Sequence, residues 1–164
     1  MKNKILFIFV LFSTYGFSQE SIAELLKKHN TKAVPYISVQ ELAMPKTNAI
    51  ILDAREKKEY NVSHLKNAIH IGYNFFQLDT IQQKIKNKDE TIVVYCSLGI
   101  RSETIAKKLK KGGYTSVFNL YGGIFEWKNN NFSVYNSDGK ETENVHTFNE
   151  AWGKWLTKGI KIID

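Results

Sequence analysis

The stretch Thr91-Ile92-Val93-Val94-Tyr95-Cys96-Ser97-Leu98-Gly99-Ile100-Arg101-Ser102 reads as a strand, a turn and the start of a helix. Its β-branched first half predicts a strand over 91–95. Beyond it, residues 102–111 place Ile105 and Leu109 opposite Lys107, Lys108, Lys110 and Lys111, so a helix follows until Gly112-Gly113 stops it. The lysines form a solvated face that also suits a helix C-terminus. The alternation recurs outward from here. Residues 36–38, 49–52, 68–71 and 116–120 are short apolar strands, and the second of them ends at Asp53. Residues 21–30, 75–85 and 122–128 have helical spacing, and Ser38 is placed to cap a turn over 39–42. Two-sided apolar strands alternating with helices predict an α/β fold: a central parallel five-stranded sheet with helices on both faces. Reactive groups in such sheets collect where strands end and helices begin. Asp53 and Cys96 both stand at such ends.

Cys96 is the only cysteine in 164 residues, so no intrachain disulfide and no multi-thiolate zinc site can form. A loop between strand and helix turns backbone N–H groups toward the sulfur, and the helix start adds its positive end. Gly99 permits the unusual dihedral that a tight cradle needs, and Arg101 supplies a full positive charge. Each effect favours thiolate over thiol and makes Cys96 a candidate nucleophile. A lone cysteine at a strand end is ordinarily inert. The glycine, arginine, serine and helix start that follow set this one apart.

The basic residues are 21 lysines and only two arginines, Arg55 and Arg101. In a chain that uses lysine for generic charge, these two mark places where a planar, permanently charged fork is needed. The net charge of +7 favours small anions or a weakly acidic partner. Aromatic residues are not interleaved with arginine, so no nucleic-acid surface is indicated.

Lys2 and Lys4 precede an unbroken apolar run over 5–12, with small residues Gly16 and Ser18 before Gln19. A membrane span needs roughly 20 apolar residues, so residues 1–18 read as a secretory signal peptide cut near Ser18/Gln19. The expectation is export to the periplasm or beyond, with no membrane segment in the mature chain. Residues 19–35 form an N-terminal helical segment, 36–128 the α/β domain and 129–164 a C-terminal extension. In that extension Asn136-Ser137-Asp138-Gly139 is a turn signal. Phe148, Trp152, Trp155 and Leu156 fall at helical spacing and predict an aromatic helical extension packed on the domain.

Four segments, in order, resemble the rhodanese-like single-domain sulfurtransferases. Cys96-x-x-Gly99-x-Arg101-Ser102 after Val93-Val94-Tyr95 is similar to their active loop. Asp53-Ala54-Arg55 with Glu59 is similar to their Asp-x-Arg segment. Residues 64–71 resemble their histidine-flanked segment, with Asn67 where glycine is usual. Residues 120–127 resemble the closing Gly-Gly segment that ends in tryptophan. The N-terminal helix and the aromatic tail have no counterpart in the resemblance.

The resemblance implies a two-step exchange. Cys96 attacks the outer sulfur of an anionic donor such as thiosulfate, sulfite leaves, and the Cys96 persulfide passes its sulfur to cyanide or a thiol, a protein thiol included. Ser97, Leu98, Gly99, Ile100 and Ser102 belong to the substrate-binding loop, and Arg101 orients the donor. Asp53, Arg55 and Glu59 are supporting residues: Asp53 and Arg55 read as a structural ion pair behind the loop, with Asp53 bracing the loop and Arg55 pairing with Glu59. No metal or organic cofactor is implied, and His64 and His70 read as hydrogen-bonded turn or core residues. A phosphatase or arsenate reductase of the related fold is disfavoured, because those loops place five residues between cysteine and arginine. A disulfide oxidoreductase is disfavoured by glycine at 99, where a second cysteine would be needed. A non-catalytic binding module or sulfur carrier on the same fold stays open.

Overall fold

The computed structural model describes residues 20–163, and the expected leader, 1–18, lies outside them. In chain order the elements of the domain are α1 (Ile22–His29), β1 (Tyr36–Ile37), α2 (Val39–Leu42), β2 (Ile50–Asp53), α3 (Lys57–Val62), β3 (Ile69–His70), α4 (Leu78–Lys84), β4 (Ile92–Tyr95), α5 (Ile100–Lys111), β5 (Val117–Leu120) and α6 (Gly123–Asn129). The five strands form one sheet in the order β1-β5-β4-β2-β3, every pair parallel. The expected rhodanese-like α/β architecture is the one observed.

β4 is central, and all four of its residues are buried. Alternation along the strand divides them between two cores. Ile92 and Val94 meet Ile81 and Ile85 at α4 and Ile105 and Leu109 of α5. Val93 and Tyr95 belong with Leu25 of α1, Leu42 of α2 and Phe125 of α6. Register places Asp53 beside Tyr95, so the ends of β2 and β4 share one rim. Ser38 caps α2 through Glu41 N–H, as its position predicts.

α3, which carries Glu59, has no counterpart among the expected helices, and two expected helices start elsewhere. α4 begins at Leu78 rather than Phe75, whose ring is left in solvent. α5 begins at Ile100 rather than Ser102, which brings Arg101 into its first turn.

The tail departs most. It contains a hairpin of β6 (Val134–Tyr135) and β7 (Glu141–Thr142), then β8 (Asn144–Phe148), α7 (Glu150–Gly153) and β9 (Ile160–Ile163) parallel to β8. The expected aromatic helix is a strand followed by a single helical turn. Phe148 closes β8 at φ 67°, a left-handed conformation that cannot continue into a right-handed helix. Asn149 then caps α7 afresh, accepting from Trp152 N–H at 3.0 Å. Trp155 and Leu156 still enter the core, so the tail packs on the domain.

Candidate active site

Cys96 follows the last residue of β4, and its sulfur is buried at the mouth of α5. Gly99 sits at the N-cap of α5 with φ 103°, and its N–H turns back to donate to Cys96 Sγ at 3.1 Å. A side chain at 99 would strain the left-handed backbone and lie 3.3 Å from the Leu120 carbonyl. Ser102 Oγ lies 3.5 Å from the same sulfur and 2.7 Å from Asn119 Oδ1. Its single proton goes to the closer oxygen while the sulfur is neutral and can swing to the sulfur as charge develops there.

Arg101 crosses from α5 to α3. Its Nη1 and Nη2 donate to the two oxygens of Glu59, each at 2.7 Å, and Nη2 also reaches Ser97 Oγ at 3.0 Å. Glu59 is fully buried, whereas Arg101 keeps 25% of its side chain exposed toward the cleft. Burial raises the Glu59 carboxyl, but the bonds and charge of Arg101 outweigh it and hold Glu59 below the usual carboxylate range. Burial likewise raises the Cys96 thiol. The charge of Arg101 and the donors at Ser102 and Gly99 reverse that, and the thiol ends below its ordinary value.

Asp53 and Arg55 form a second, deeper knot. Arg55 Nε and Nη2 bond Asp53 at 3.0 and 2.7 Å, Tyr95 O–H donates to Asp53 Oδ2 at 2.6 Å, and Arg55 Nη2 holds the Ser63 carbonyl at 2.6 Å. Asp53 thus braces the loop through Tyr95, the residue before the nucleophile. The expected ion pair of Asp53 with Arg55 forms, whereas the expected pairing of Arg55 with Glu59 does not. Glu59 sits at the third position of α3, within reach of Arg101, while Asp53, two residues from Arg55, takes the Nε and Nη2 edge of that guanidinium.

The carbonyls of the loop are held from outside it. Ile124 N–H donates to Cys96 O at 2.9 Å and Phe125 N–H to Ser97 O at 3.2 Å. This contact requires Gly123: a Cβ there would sit 2.2 Å from Cys96 O. Asn30 and Asn119 both donate to Gly99 O at 2.8 Å. These asparagines were not among the expected site residues. Only their positions, just past a helix end and inside an otherwise apolar strand, could have drawn attention to them.

A cleft of about 270 Å³ opens over the sulfur. Cys96, Ser97 and Arg101 line one side of it, with Leu98 and Ile100 from the loop. The remaining wall comes from outside the expected domain: His29 of α1 and Thr147, Phe148 and Trp152 of the tail. His64 stacks on Tyr60, 3.9 Å between ring centres, and its Nδ1 lies 3.0 Å from Tyr60 O. His70 Nε2 lies 2.9 Å from Arg55 O. Among the described residues no three His, Cys, Asp or Glu side chains gather as a metal would require.

Against sequence families, residues 38–130 match the Rhodanese-like domain. The protein belongs to the rhodanese-like family. It is 31% identical over 97 residues to the thiosulfate sulfurtransferase GlpE of Coxiella burnetii, covering 59% of this chain and 87% of that one. It is 34% identical over 99 residues to the tRNA uridine(34) hydroxylase of Onion yellows phytoplasma, covering 56% of this chain but only 32% of the hydroxylase. The chain thus spans about a third of the hydroxylase's length. The crystal structure of BH2092 from Bacillus halodurans superposes with a TM-score of 0.57 at 25% identity, over 73% of this chain and 89% of that one. The thiosulfate sulfurtransferase structure from Pseudomonas aeruginosa, at 21% identity and TM-score 0.57, shares the fold over 65% of this chain and 21% of its own. The rhodanese-like domain and the sulfurtransferase relatives support sulfurtransferase chemistry in general, while the hydroxylase name shows that activities within the family vary.

Proposed function

We propose that this rhodanese-like protein moves a sulfane sulfur from an anionic donor such as thiosulfate to a nucleophilic acceptor, cyanide or a thiol, through a persulfide on Cys96. The observation that carries this is the sulfur's setting: a buried Cys96 Sγ receiving the Gly99 N–H at 3.1 Å beside a guanidinium anchored twice to Glu59. In the first step the thiolate attacks the donor's outer sulfur, and sulfite leaves with the bonding electron pair. The persulfide anion then lies where the thiolate lay, among donors already oriented for negative charge. Acceptor attack on the outer sulfur regenerates the thiolate.

Arg101 spends three N–H groups on Glu59 and Ser97; its charge, with one of the two unspent N–H groups on opposite edges of the guanidinium, orients the donor's oxyanion. Single-turnover sulfite release with thiosulfate, followed by mass analysis for roughly 32 Da added to Cys96, one sulfur atom, tests the scheme. Cys96→Ser should give neither. Arg101→Lys keeps charge without the fork and should slow loading by roughly ten- to a thousand-fold. A sulfite burst from Cys96→Ser would overturn the covalent route.

We further propose export. The support is the leader pattern of residues 1–18, and the test is N-terminal sequencing of native material, which should begin at Gln19. Met1 retained on protein in the cytosol would overturn it.

A further inference from the structure

The wall of the cleft opposite the catalytic loop is built by residues that the family match does not include. Phe148 and Trp152 lie beyond residue 130 yet line the same cavity as Cys96 and Arg101. Phe148 is an unusual residue in its own right. It is 48% exposed, it takes φ 67° without being glycine, and it follows a register shift between β8 and β9 at 146/148. Its N–H is fixed to His146 Nδ1 at 3.0 Å. Bulges of this kind re-aim a side chain, and strain of this kind persists where the surroundings enforce it. Trp152 is presented by α7, which Asn149 caps.

The wall is anchored from behind. Asn129 donates to Trp155 O at 2.9 Å and accepts from Thr157 N–H at 2.8 Å, and Trp155 and Leu156 are buried. The cleft therefore joins polar groups, Cys96, Arg101, His29 and Thr147, to an apolar part formed with Phe148 and Trp152, and Lys58 Nζ lies 5.6 Å from the centre of the Phe148 ring. At about 270 Å³ the cleft approaches the ~300 Å³ at which small-molecule pockets begin. Thiosulfate, with five heavy atoms and no apolar surface, would occupy only the polar part.

We propose that Phe148 and Trp152 are specificity-determining residues that select a sulfur donor whose terminal anionic sulfur is carried on an apolar organic body. The inference rests on the sulfur-transfer reading and names its substrate class. For an organic thiosulfonate the step is balanced. Cys96 thiolate and R–SO2–S⁻ give Cys96–S–S⁻ and the sulfinate R–SO2⁻. One S–S bond forms as the donor's S–S bond breaks, the electron pair leaves with the sulfinate, and no oxidant or proton is needed. The head group meets Arg101 while R lies against the two rings.

The test compares benzenethiosulfonate with methanethiosulfonate, which share a head and differ in the body. Their kcat/KM ratio is divided by the ratio of their rates with free cysteine thiolate, which removes intrinsic reactivity. For the full chain the corrected phenyl preference should be at least roughly tenfold, as expected where apolar groups fill a matching pocket. Phe148→Ala and Trp152→Ala should bring it toward one, and Phe148→Leu should restore part of it. A corrected ratio near one in the unmodified protein, or a ratio unchanged in both alanine variants, overturns the proposal. Calorimetry with the unreactive benzenesulfonate and methanesulfonate supplies an arm independent of turnover. The aryl ion should bind roughly tenfold tighter, and equal affinities overturn the proposal. If neither donor loads Cys96, the sulfur-transfer reading fails, and the calorimetric arm still decides whether the wall selects an apolar body.

Discussion

Replacing Glu59 by glutamine isolates the support beneath Arg101. Glu59 is fully buried and accepts four hydrogen bonds: two from Arg101 at 2.7 Å, one from Ser97 O–H at 3.2 Å and one from Glu56 N–H at 3.0 Å. Glutamine keeps the shape but turns one accepting oxygen into a donor that faces other donors. Each oxygen accepts one bond from Arg101 and one from a second donor, so two are lost. With the amide in the Oε1 place the Ser97 hydroxyl can turn to accept, which leaves the Arg101 bond, about 1.5–3 kcal/mol, and the counter-charge of Arg101 as the loss. A fully buried pair broken this way loses ~3–5 kcal/mol. Arg101 is 25% exposed and can turn to water, so the loss should be smaller, about 2–3 kcal/mol. With a urea slope of roughly 2 kcal/mol per molar, the unfolding midpoint should fall by roughly 1–1.5 M at pH 7. The sign of the pH dependence follows from the lowered Glu59 carboxyl. A carboxyl lowered on folding adds stability that is fully present above its unfolded value, about 4.3, and is lost as pH falls through the folded value. The gap between unmodified and variant protein should therefore be full at pH 7 and narrow between pH 5 and pH 3. Urea unfolding followed by tryptophan fluorescence measures both. Equal midpoints at pH 7, or a gap that does not narrow in acid, would refute the reasoning.

Iodoacetamide should alkylate Cys96 with a midpoint below the ordinary thiol value of about 8.5, the rate falling as pH drops through that lowered value; Arg101→Gln should move the midpoint up, and identical midpoints would show that Arg101 does not act on the sulfur. Gly123→Ala should cost at least about 2–3 kcal/mol and most of the activity, because a Cβ would lie 2.2 Å from Cys96 O and 2.7 Å from Ser97 O, whereas Gly113→Ala, also at positive φ but with nothing within 4 Å, should cost only about 1 kcal/mol; chemical denaturation that ranks the two equally would count against the close approach. Truncation after Lys140 removes Val145, Trp155 and Leu156 from the core and should cost on the order of a few kcal/mol, whereas an unchanged melting temperature would mark the tail as a free arm.

The strands were legible because their burial is two-sided. A run such as Ile92-Val93-Val94-Tyr95 contrasts with its polar surroundings, and Gly112-Gly113 stops the following helix visibly. Cys96 and Arg101 were legible through spacing, and the scarcity of arginine pointed to both Arg55 and Arg101. Both arginines do hold a carboxylate with two nitrogens. The pairing of Arg55 with Asp53 could be read from their closeness in sequence; what spacing could not reveal was that Glu59 would hold Arg101, since that depends on how α3 lies against α5. The start of α5 at Ile100 was hidden because Gly99 caps it with backbone geometry and no side-chain signal. The tail was misread for a different reason. Four apolar residues at helical spacing say nothing about the backbone between them, and a left-handed Phe148 followed by a capping Asn149 breaks the period. Asn149, three residues before Trp152, was the available sign that a new helix starts there.

The charge of Arg101 does most to lower the Cys96 thiol, and the direction of the loop's carbonyls lets backbone donors add to it. Burial by itself opposes a thiolate, and a loop whose carbonyl dipoles faced the sulfur would oppose it further. Here Cys96 O and Ser97 O are engaged by the first turn of α6, and Gly99 O is engaged by Asn30 and Asn119, from the end of α1 and from β5. With those carbonyls held outward, the Gly99 and Ser102 N–H groups and the Ser102 hydroxyl face the sulfur. Three elements distant in sequence therefore orient the loop's own share of the local field. A dipole already oriented needs no rearrangement when negative charge develops on the sulfur. Arg101 adds to that field and is itself fixed by Glu59. The arrangement thus separates two supports: the backbone cradle stabilises charge on sulfur, and Glu59 fixes the guanidinium at the wall of the cleft.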